Sequence, residues 1–148
     1  MIRALNATDV ARMAEIHAQS FFKGWDEADM GAHIQKDMCF GFGRPLEGFI
    51  ILSSAADQAE ILTIATDPLR RRKGIARALL EIAETELTEN GVDMLFLEVA
   101  EDNEAARNFY KRADFEPIGR RPAYYKREKG RVAAITYRKR LAANDRVG

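Results

Sequence analysis

The chain has 148 residues, of which 47% are hydrophobic and 31% charged, and its formal net charge at pH 7 is zero. This composition is ordinary for a globular protein, and the length suits one domain, so we expect residues 1–148 to form a single domain. A neutral chain has no overall field toward nucleic acid or an anionic membrane, and no apolar run approaches the roughly 18 residues of a membrane span. We therefore expect neither partner.

The N-terminus has no apolar stretch of signal-peptide length, which favours a cytoplasmic location. Cys39 is the only cysteine, so it cannot form an intrachain disulfide, and its apolar neighbours predict a small core residue.

The first half of the chain predicts short strands and two helices. Ile2–Leu5 is the first strand, and Thr8 or Asp9 caps a helix that runs to about Phe21. Asp26 caps a second helix, Glu27–Lys36. A hairpin around Gly43-Arg44-Pro45 follows, with the strands Phe40–Phe42 and Leu46–Leu52.

The centre of the chain predicts a strand, a helix and a second strand. Glu60–Thr66 is extended and apolar, and a helix runs from about Gly74 to Asn90, with Gly91 as its C-terminal cap. The apolar stripe of this helix comprises Ile75, Leu79, Ile82, Ala83 and Leu87. Met94–Val99 is almost wholly apolar, as in a strand covered on both faces. Such a βαβ crossover predicts two parallel strands.

The last part of the chain predicts a short helix and two strands. Asp102 or Asn103 caps the helix, which ends near Arg112, and the strands are Phe115–Gly119 and Ala133–Lys139. The elements together predict an α/β (α+β) fold. Its central sheet is mixed but mostly antiparallel, with six to seven strands, about four helices and one parallel βαβ crossover.

A basic, glycine-containing segment, Arg71-Arg72-Lys73-Gly74-Ile75-Ala76, lies at the start of the central helix. The first N–H groups of a helix lack intrahelical partners, and glycine lets the backbone approach a ligand closely. The segment therefore predicts a phosphate site. It lacks the Gly-Lys-Ser/Thr of a Walker motif, and one short basic run on a neutral chain does not indicate nucleic-acid binding.

Two segments, taken together, match motifs of a known family. Arg71–Ala76 matches an Arg/Gln-x-x-Gly-x-Gly/Ala pyrophosphate loop, and Asn103–Tyr110, followed by Phe115, matches an Asn…Ala…Tyr…Phe segment. In these segments the chain resembles the GNAT superfamily of N-acetyltransferases.

Over nearly its whole length the chain resembles one branch, the ribosomal-protein alanine N-acetyltransferases. The supporting segments are His17–Phe21, Gly24–Glu27, Gly48–Leu52, Ala59–Ala65, Leu97–Val99 and Arg120–Tyr125. The resemblance implies a GNAT-like sheet and direct transfer of an acetyl group from acetyl-CoA, without a metal. The implied acceptor is a protein N-terminus or peptide, with the N-terminal alanine of a small-subunit ribosomal protein as the candidate.

The resemblance also implies a cofactor site. Its pyrophosphate residues are Arg71, Arg72, Lys73, Gly74, Ile75, Ala76 and Arg77. Its pantetheine arm runs along the strand at Ile64, Ala65 and Thr66, where a backbone N–H polarises the thioester carbonyl. Asn103 contacts the cofactor, and this role is compatible with that of a helix N-cap.

Two residues are candidates for proton transfer. Glu98 ends an apolar run, where desolvation would raise its pKa and suit it as a general base, although a rim glutamate facing water is the alternative. Tyr110 follows twelve residues later, and a phenol with a pKa near 10 can protonate a departing thiolate. Its alternative role is packing against the sheet. Cys39 lies outside the motifs, so nothing indicates an acetyl-enzyme intermediate.

The acceptor side is less defined. Trp25, Tyr124 and Tyr125 are candidates for lining the acceptor groove, with core or strand packing as the alternative. His17 and His33 lack the spacing of metal ligands. Val132 and Ala133 follow Gly130-Arg131, where relatives often carry acidic residues. A lysine side chain or small-molecule amine therefore stays open as acceptor, as does a non-catalytic CoA-binding module.

Two further departures from the family pattern concern the backbone. Ala76 stands where many relatives have a second glycine, and alanine is a common variant there. Asp114 replaces a glycine before Phe115, and aspartate tolerates left-handed backbone better than most residues.

Overall fold

A computed structural model describes residues 1–21 and 23–141, which form one seven-stranded sheet with helices on both faces. The sheet order is β1-β2-β3-β4-β5-β7-β6, and within these residues β4 and β5 are the one parallel neighbouring pair. The elements are β1 (Ile2–Ala4), α1 (Val10–Ser20), α2 (Glu27–Lys36), β2 (Met38–Phe42), β3 (Gly48–Ala55), β4 (Gln58–Thr66), α3 (Ile75–Glu89), β5 (Met94–Ala100), α4 (Glu104–Arg112), β6 (Glu116–Arg127) and β7 (Gly130–Arg140). This architecture confirms the predicted fold class.

Side-chain caps explain where several helices begin. Asp26 accepts a hydrogen bond from the Asp29 N–H at 2.9 Å, so α2 has the predicted bounds. Asp9 takes the N-cap position of α1, one of the two predicted positions, but its side chain forms no capping hydrogen bond there. Asn6 caps a short 3₁₀ turn, Ala7–Asp9, and α1 begins only at Val10. Asp9 instead receives a hydrogen bond from the Asn6 N–H and an ion pair from Arg3.

The sheet separates two groups of apolar side chains. The larger group lies between the sheet and α3 and α4, and includes Leu79, Leu95 and Leu97. The smaller group lies under α1 and α2 and includes Phe49, which is fully buried. Gly48 allows α3 to begin close to β3, because a Cβ there would lie 2.8 Å from Ile75 Cγ2.

The parallel strands β4 and β5 stay together over a short stretch only. Their register joins Gln58 to Met94, Ala59 to Leu95 and Glu60 to Phe96, and it ends there although both strands continue. On its other edge β4 shifts register against β3, so that Leu62 is an extra residue of the kind found in a β-bulge. We name the opening beyond Glu60 and Phe96 the β4–β5 gap.

The last hairpin is longer than the sequence indicates. The prediction that the strand after α4 ends at Gly119 is wrong, because β6 continues to Arg127 and β7 begins at Gly130. Arg120–Arg127 is polar, mostly exposed and interrupted by proline, a pattern typical of a loop. An edge strand accepts such residues since one of its sides needs no partner.

Two positive backbone angles match the predicted turns. Gly91 has φ +82° after α3, and Asp114 has φ +73° after α4, as expected of residues that tolerate left-handed backbone.

No helix in residues 1–21 and 23–141 has both the length and the apolar character needed to cross a membrane.

A buried histidine joins α1 to the turn before α2. His17 Nδ1 accepts a hydrogen bond from the Trp25 N–H at 3.0 Å, and its Nε2 lies 3.2 Å from Thr63 Oγ1. The imidazole ring is stacked between Phe21 and Trp25, with centroid separations of 4.3 and 4.7 Å. Burial lowers the pKa of His17 from 6.5 to about 4.

Acid should therefore destabilise the protein through His17. Between pH 6.5 and about 4 the unfolded chain binds a proton at this residue that the folded chain does not, so the free energy of unfolding falls as the pH falls. Urea unfolding of the wild type and His17→Gln across this range measures the effect. The variant should be less stable at pH 7 but should lose less stability on acidification. Parallel losses in the two proteins would contradict the assignment.

Candidate active site

The predicted phosphate loop connects β4 to α3. Asp67 fixes its first turn, because its carboxylate accepts hydrogen bonds from the Leu69 N–H at 3.0 Å and from Arg12 at 2.6 Å. Gly74, with φ +77°, occupies the N-cap position of α3. At this left-handed position glycine carries no strain, and the chain turns sharply from the loop into the helix.

The loop presents unpaired backbone donors at an exposed helix start. Within residues 1–21 and 23–141, no N–H from Arg71 to Arg77 donates a backbone hydrogen bond. A Cβ at Gly74 would meet no atom within 4 Å, so the space in front of the helix is open. Exposed basic side chains surround it, and one of them, Arg71, donates to Ser20 Oγ at 3.2 Å. These donors fit a pyrophosphate group.

The strand that leads into the loop borders the β4–β5 gap. Ile64 and Ala65 pair with Ile50 and Phe49 of β3 on one edge. On the other edge the pairing with β5 has already ended at Glu60. Backbone N–H and C=O groups on that edge are therefore free to pair with an extended ligand arm, as those of an exposed strand edge do.

Asn103 lies at the start of α4. Its Oδ1 accepts a hydrogen bond from the Ala106 N–H at 3.1 Å, which makes it the N-cap that the sequence indicates. No hydrogen bond within the described chain uses its side-chain NH₂, so this group can serve a ligand as well.

Glu98 lies on β5 at the gap, with a side chain that is 18% exposed. Arg121 Nε approaches its Oε2 to 3.1 Å, and Thr136 Oγ1 donates a hydrogen bond to the same oxygen at 3.3 Å. No hydrogen bond or ion pair within residues 1–21 and 23–141 engages Oε1. The carboxylate is thus held by one oxygen, and the other can accept a proton or a water molecule.

A shallow cavity of about 380 Å³ extends from Glu98 across the sheet. Glu60, Arg121 and Thr136 also line it, so the immediate neighbours of Glu98 are polar, whereas the strand pattern predicts apolar ones. Burial and the charge of Glu98 raise the pKa of Glu60, and the charge of Arg121 opposes this shift.

Tyr110 lies on the other face of the sheet from Glu98. It belongs to the apolar group under α3 and α4, together with Leu97 and Val99, whereas Glu98, between those two, points to the opposite face. Its ring is 4% exposed and packs edge-on against Phe115 at 5.4 Å. Burial raises the Tyr110 pKa above its usual value.

The Tyr110 hydroxyl has no hydrogen-bond partner within the described part of the chain. The ring is therefore anchored in the core, and no hydrogen bond within the described residues occupies its hydroxyl.

The three candidate acceptor residues have different surroundings. Trp25 stacks between His17 and His33, with centroid separations of 4.7 and 4.8 Å, which fits a packing role at the turn between α1 and α2. Tyr124 is 45% exposed and lies in an irregular part of β6. Tyr125 packs edge-on against it at 5.1 Å.

Sequence reasoning did not assign the residues that hold Glu98. Arg121 and Thr136 reach it from β6 and β7 through long-range strand pairing, which no local pattern encodes. The one available signal was that Arg121 precedes the Tyr124-Tyr125 pair within a recognised segment.

The described residues contain no group of three or more His, Cys, Asp or Glu side chains that could hold a metal ion.

An open β4–β5 pair with an anion loop at its end can hold a phosphorylated ligand with an extended arm, and comparison with known proteins identifies the class of protein. The model of the Acetyltransferase (GNAT) family matches residues 10–115, and the chain belongs to this family. It is an acetyl-CoA-dependent N-acetyltransferase.

Individual relatives agree with this assignment. The chain is 33% identical to the ribosomal protein bS18-alanine N-acetyltransferase of Escherichia coli (strain K12), over 90% of this chain and 93% of that protein. The crystal structure of the ribosomal-protein-S18-alanine N-acetyltransferase from Escherichia coli matches with a TM-score of 0.89 and 30% identity, over 96% of this chain and 94% of that one. Ard1 from Thermoplasma volcanium matches with a TM-score of 0.86 and 25% identity, over 96% and 97% of the two chains.

Substitutions at Tyr110 and Asn103 should affect stability differently. Tyr110→Phe removes a hydroxyl that has no hydrogen-bond partner among residues 1–21 and 23–141 and keeps the buried ring, so the free energy of unfolding should stay within about 0.5 kcal/mol of the wild type. Asn103→Ala removes a helix cap and should cost about 1 kcal/mol. Urea denaturation of the two variants measures both values. A large loss in Tyr110→Phe would mean that the hydroxyl has a structural partner.

Proposed function

We propose that this protein acetylates the N-terminal α-amine of a ribosomal protein whose first residue is alanine. The observation that carries the proposal is the 33% identity, over 90% of the chain, to a bS18-alanine N-acetyltransferase. A polar cavity beside Glu98, next to the exposed Tyr124, supports a peptide acceptor. The reaction joins the acceptor nitrogen to the acetyl carbon of acetyl-CoA and releases CoA.

In the proposed donor site, the backbone N–H groups from Arg71 to Arg77 bind the pyrophosphate, and the basic side chains neutralise its charge. The free edge of β4 at Ile64–Thr66 binds the pantetheine arm as an added strand. A backbone N–H on that edge orients and polarises the thioester carbonyl. Asn103 contributes its side-chain NH₂ while its Oδ1 caps α4.

Glu98 is the proposed general base. Arg121 and Thr136 fix Oε2, so Oε1 faces the cavity and takes the amine proton, either directly or through one water molecule. The demand on this base is small, because an α-amine has a pKa of about 7.7–8.0, so roughly a tenth of it is neutral at pH 7.

Tyr110 is the proposed general acid. Tyr110 belongs to the apolar group on the face of the sheet opposite Glu98, and we propose that its hydroxyl extends to the gap, so that acid and base act from either side of the reacting atoms. The proton that Tyr110 gives to the departing sulfur is recovered from solvent, and the one that Glu98 takes is returned there. The phenol is protonated at neutral pH and so has a proton to give, and burial, which raises its pKa, makes it a weaker acid than a free phenol.

The proposed acceptor groove lies between the turn before α2 and the β6–β7 hairpin. Tyr124 and Tyr125 form its wall on β6, and Trp25 orders the turn on the other side. On β7, Val132 pairs with Tyr125, and Ala133 is buried.

We propose that residues 1–148 act as one domain. We also propose that the protein acts in the cytoplasm, where a ribosomal-protein acceptor is made.

A peptide panel tests the acceptor. Thiol release from acetyl-CoA is measured with an alanine-first ribosomal peptide and with matched peptides that begin with serine or methionine. The alanine-first peptide should give the highest kcat/KM, and mass spectrometry should locate the acetyl group on its α-nitrogen. Acetylation of a lysine side chain or of small amines alone would contradict the proposed acceptor but leave the acetyltransferase class intact.

Substitution of the two proton-transfer residues tests the mechanism. Glu98→Gln and Tyr110→Phe should each lower kcat by about 10²-fold or more, because each removes one proton-transfer group. The Kd for CoA, from calorimetry, should stay near the wild-type value, since neither residue belongs to the phosphate loop. Unchanged turnover in Tyr110→Phe would remove this residue as the acid. Absence of turnover in the wild type with any amine would favour a non-catalytic CoA-binding module.

A further inference from the structure

The contact between Arg121 and Glu98 places a permanent positive charge where an acceptor amine must arrive. Arg121 Nε lies 3.1 Å from Glu98 Oε2, so the guanidinium already occupies one side of the only carboxylate that we assign as the base. An arginine side chain does not lose its charge at any physiological pH. The base is therefore paired with a cation before the acceptor binds.

The backbone and a neighbouring ring hold Arg121 in this position. Register between β6 and β7 shifts between Arg121 and Tyr125, and Ala123, within this shift, has φ +53°. The bulged chain brings the Tyr124 ring to 5.0 Å from Arg121 Cζ, a cation–π distance. Arg121 is thus held between an aromatic face and a carboxylate, although its side chain remains 60% exposed.

The other charged groups around the site leave Arg121 as the cation nearest to the base. Glu60 faces Glu98 from β4, and Tyr125 faces it from β6. Arg127, also on β6, pairs with both oxygens of Asp102 at 2.9 and 3.0 Å. Without Arg121, the site would present two carboxylates and would attract any ammonium group.

We propose that Arg121 is a specificity-determining residue that makes the site select neutral amines, and so favours an N-terminal α-amine over a lysine side chain. The proposal rests on the function proposed above. At pH 7 roughly a tenth of an α-amine is neutral, against about 0.04% of a lysine ε-amine. Arg121 offsets one of the two carboxylates, so the site captures the ammonium form of either amine less strongly. Lysine loses more by this, because almost all of it is charged and it depends on capture of the ammonium form followed by deprotonation at Glu98.

Two matched acceptors and three variants test this proposal. One peptide has a free alanine α-amine and no lysine, and the other has a blocked N-terminus and a single lysine. The ratio of their kcat/KM values is compared in wild type, Arg121→Met, Arg121→Lys and Arg120→Met. Both acceptors use Glu98, so a general loss of catalysis cancels in the ratio.

Arg120→Met is the control, because Arg120 is the adjacent residue but pairs with Glu101, at 3.0 and 3.1 Å, instead of Glu98. Arg121→Met should reduce the preference for the α-amine on the order of tenfold, the scale of one partly screened charge at close range. Arg121→Lys should restore most of the preference, and Arg120→Met should leave it unchanged.

Two results would overturn the proposal: an unchanged ratio in Arg121→Met, or the same change in Arg120→Met. Circular dichroism and the Kd for CoA confirm that each variant is folded. If the wild type acetylates no peptide, the proposed function fails but the test continues with two small primary amines whose pKa values are near 8 and above 10. Arg121→Met should then narrow the preference between those amines, and an unchanged preference would reject the role of Arg121.

Discussion

The early end of pairing between β4 and β5 is the constraint on which the site depends. Two parallel strands that stayed paired to Thr66 and Ala100 would leave no free backbone edge and no passage through the sheet. The register stops at Glu60 and Phe96, and the extra residue Leu62 turns β4 away from the ladder. In the proposed mechanism this opening lets Glu98 act from one face and Tyr110 from the other, while the edge of β4 leads the donor to the loop before α3.

A second constraint fixes the β6–β7 hairpin beside that opening. Three arginines of β6 pair with carboxylates at the end of β5 and in the turn after it: Arg120 with Glu101, Arg121 with Glu98 and Arg127 with Asp102. Exposed ion pairs of this kind contribute little stability individually. Their common effect is to set the position of an edge strand whose side chains form one wall of the proposed acceptor groove. One of the contacts that orient the hairpin therefore also engages Glu98, the proposed base.

The elements that the sequence predicted well are those whose signals are local. Asp26, the αL glycine Gly91 and the apolar stripe of α3 each act within a few residues, and the bounds of α2 and α3 followed from them. The βαβ unit was also predictable, since a helix between two apolar strands is the usual connection of a parallel pair. The β6 strand was not, because its residues are polar and become strand only by pairing with β7.

The sequence by itself determined the family and the acetyl donor, acetyl-CoA. The loop from Arg71 to Ala76 and the segment from Asn103 to Tyr110 are continuous motifs, so their backbone conformation depends mainly on neighbouring residues. Only the tertiary structure decided which side chains surround Glu98. Arg121 and Thr136 stand 23 and 38 residues beyond Glu98, and it is the antiparallel register of β5, β7 and β6 that brings them to one oxygen of it. Electrostatic neighbours depend on distance in space, and strand register, which sets that distance, is a property of the whole sheet.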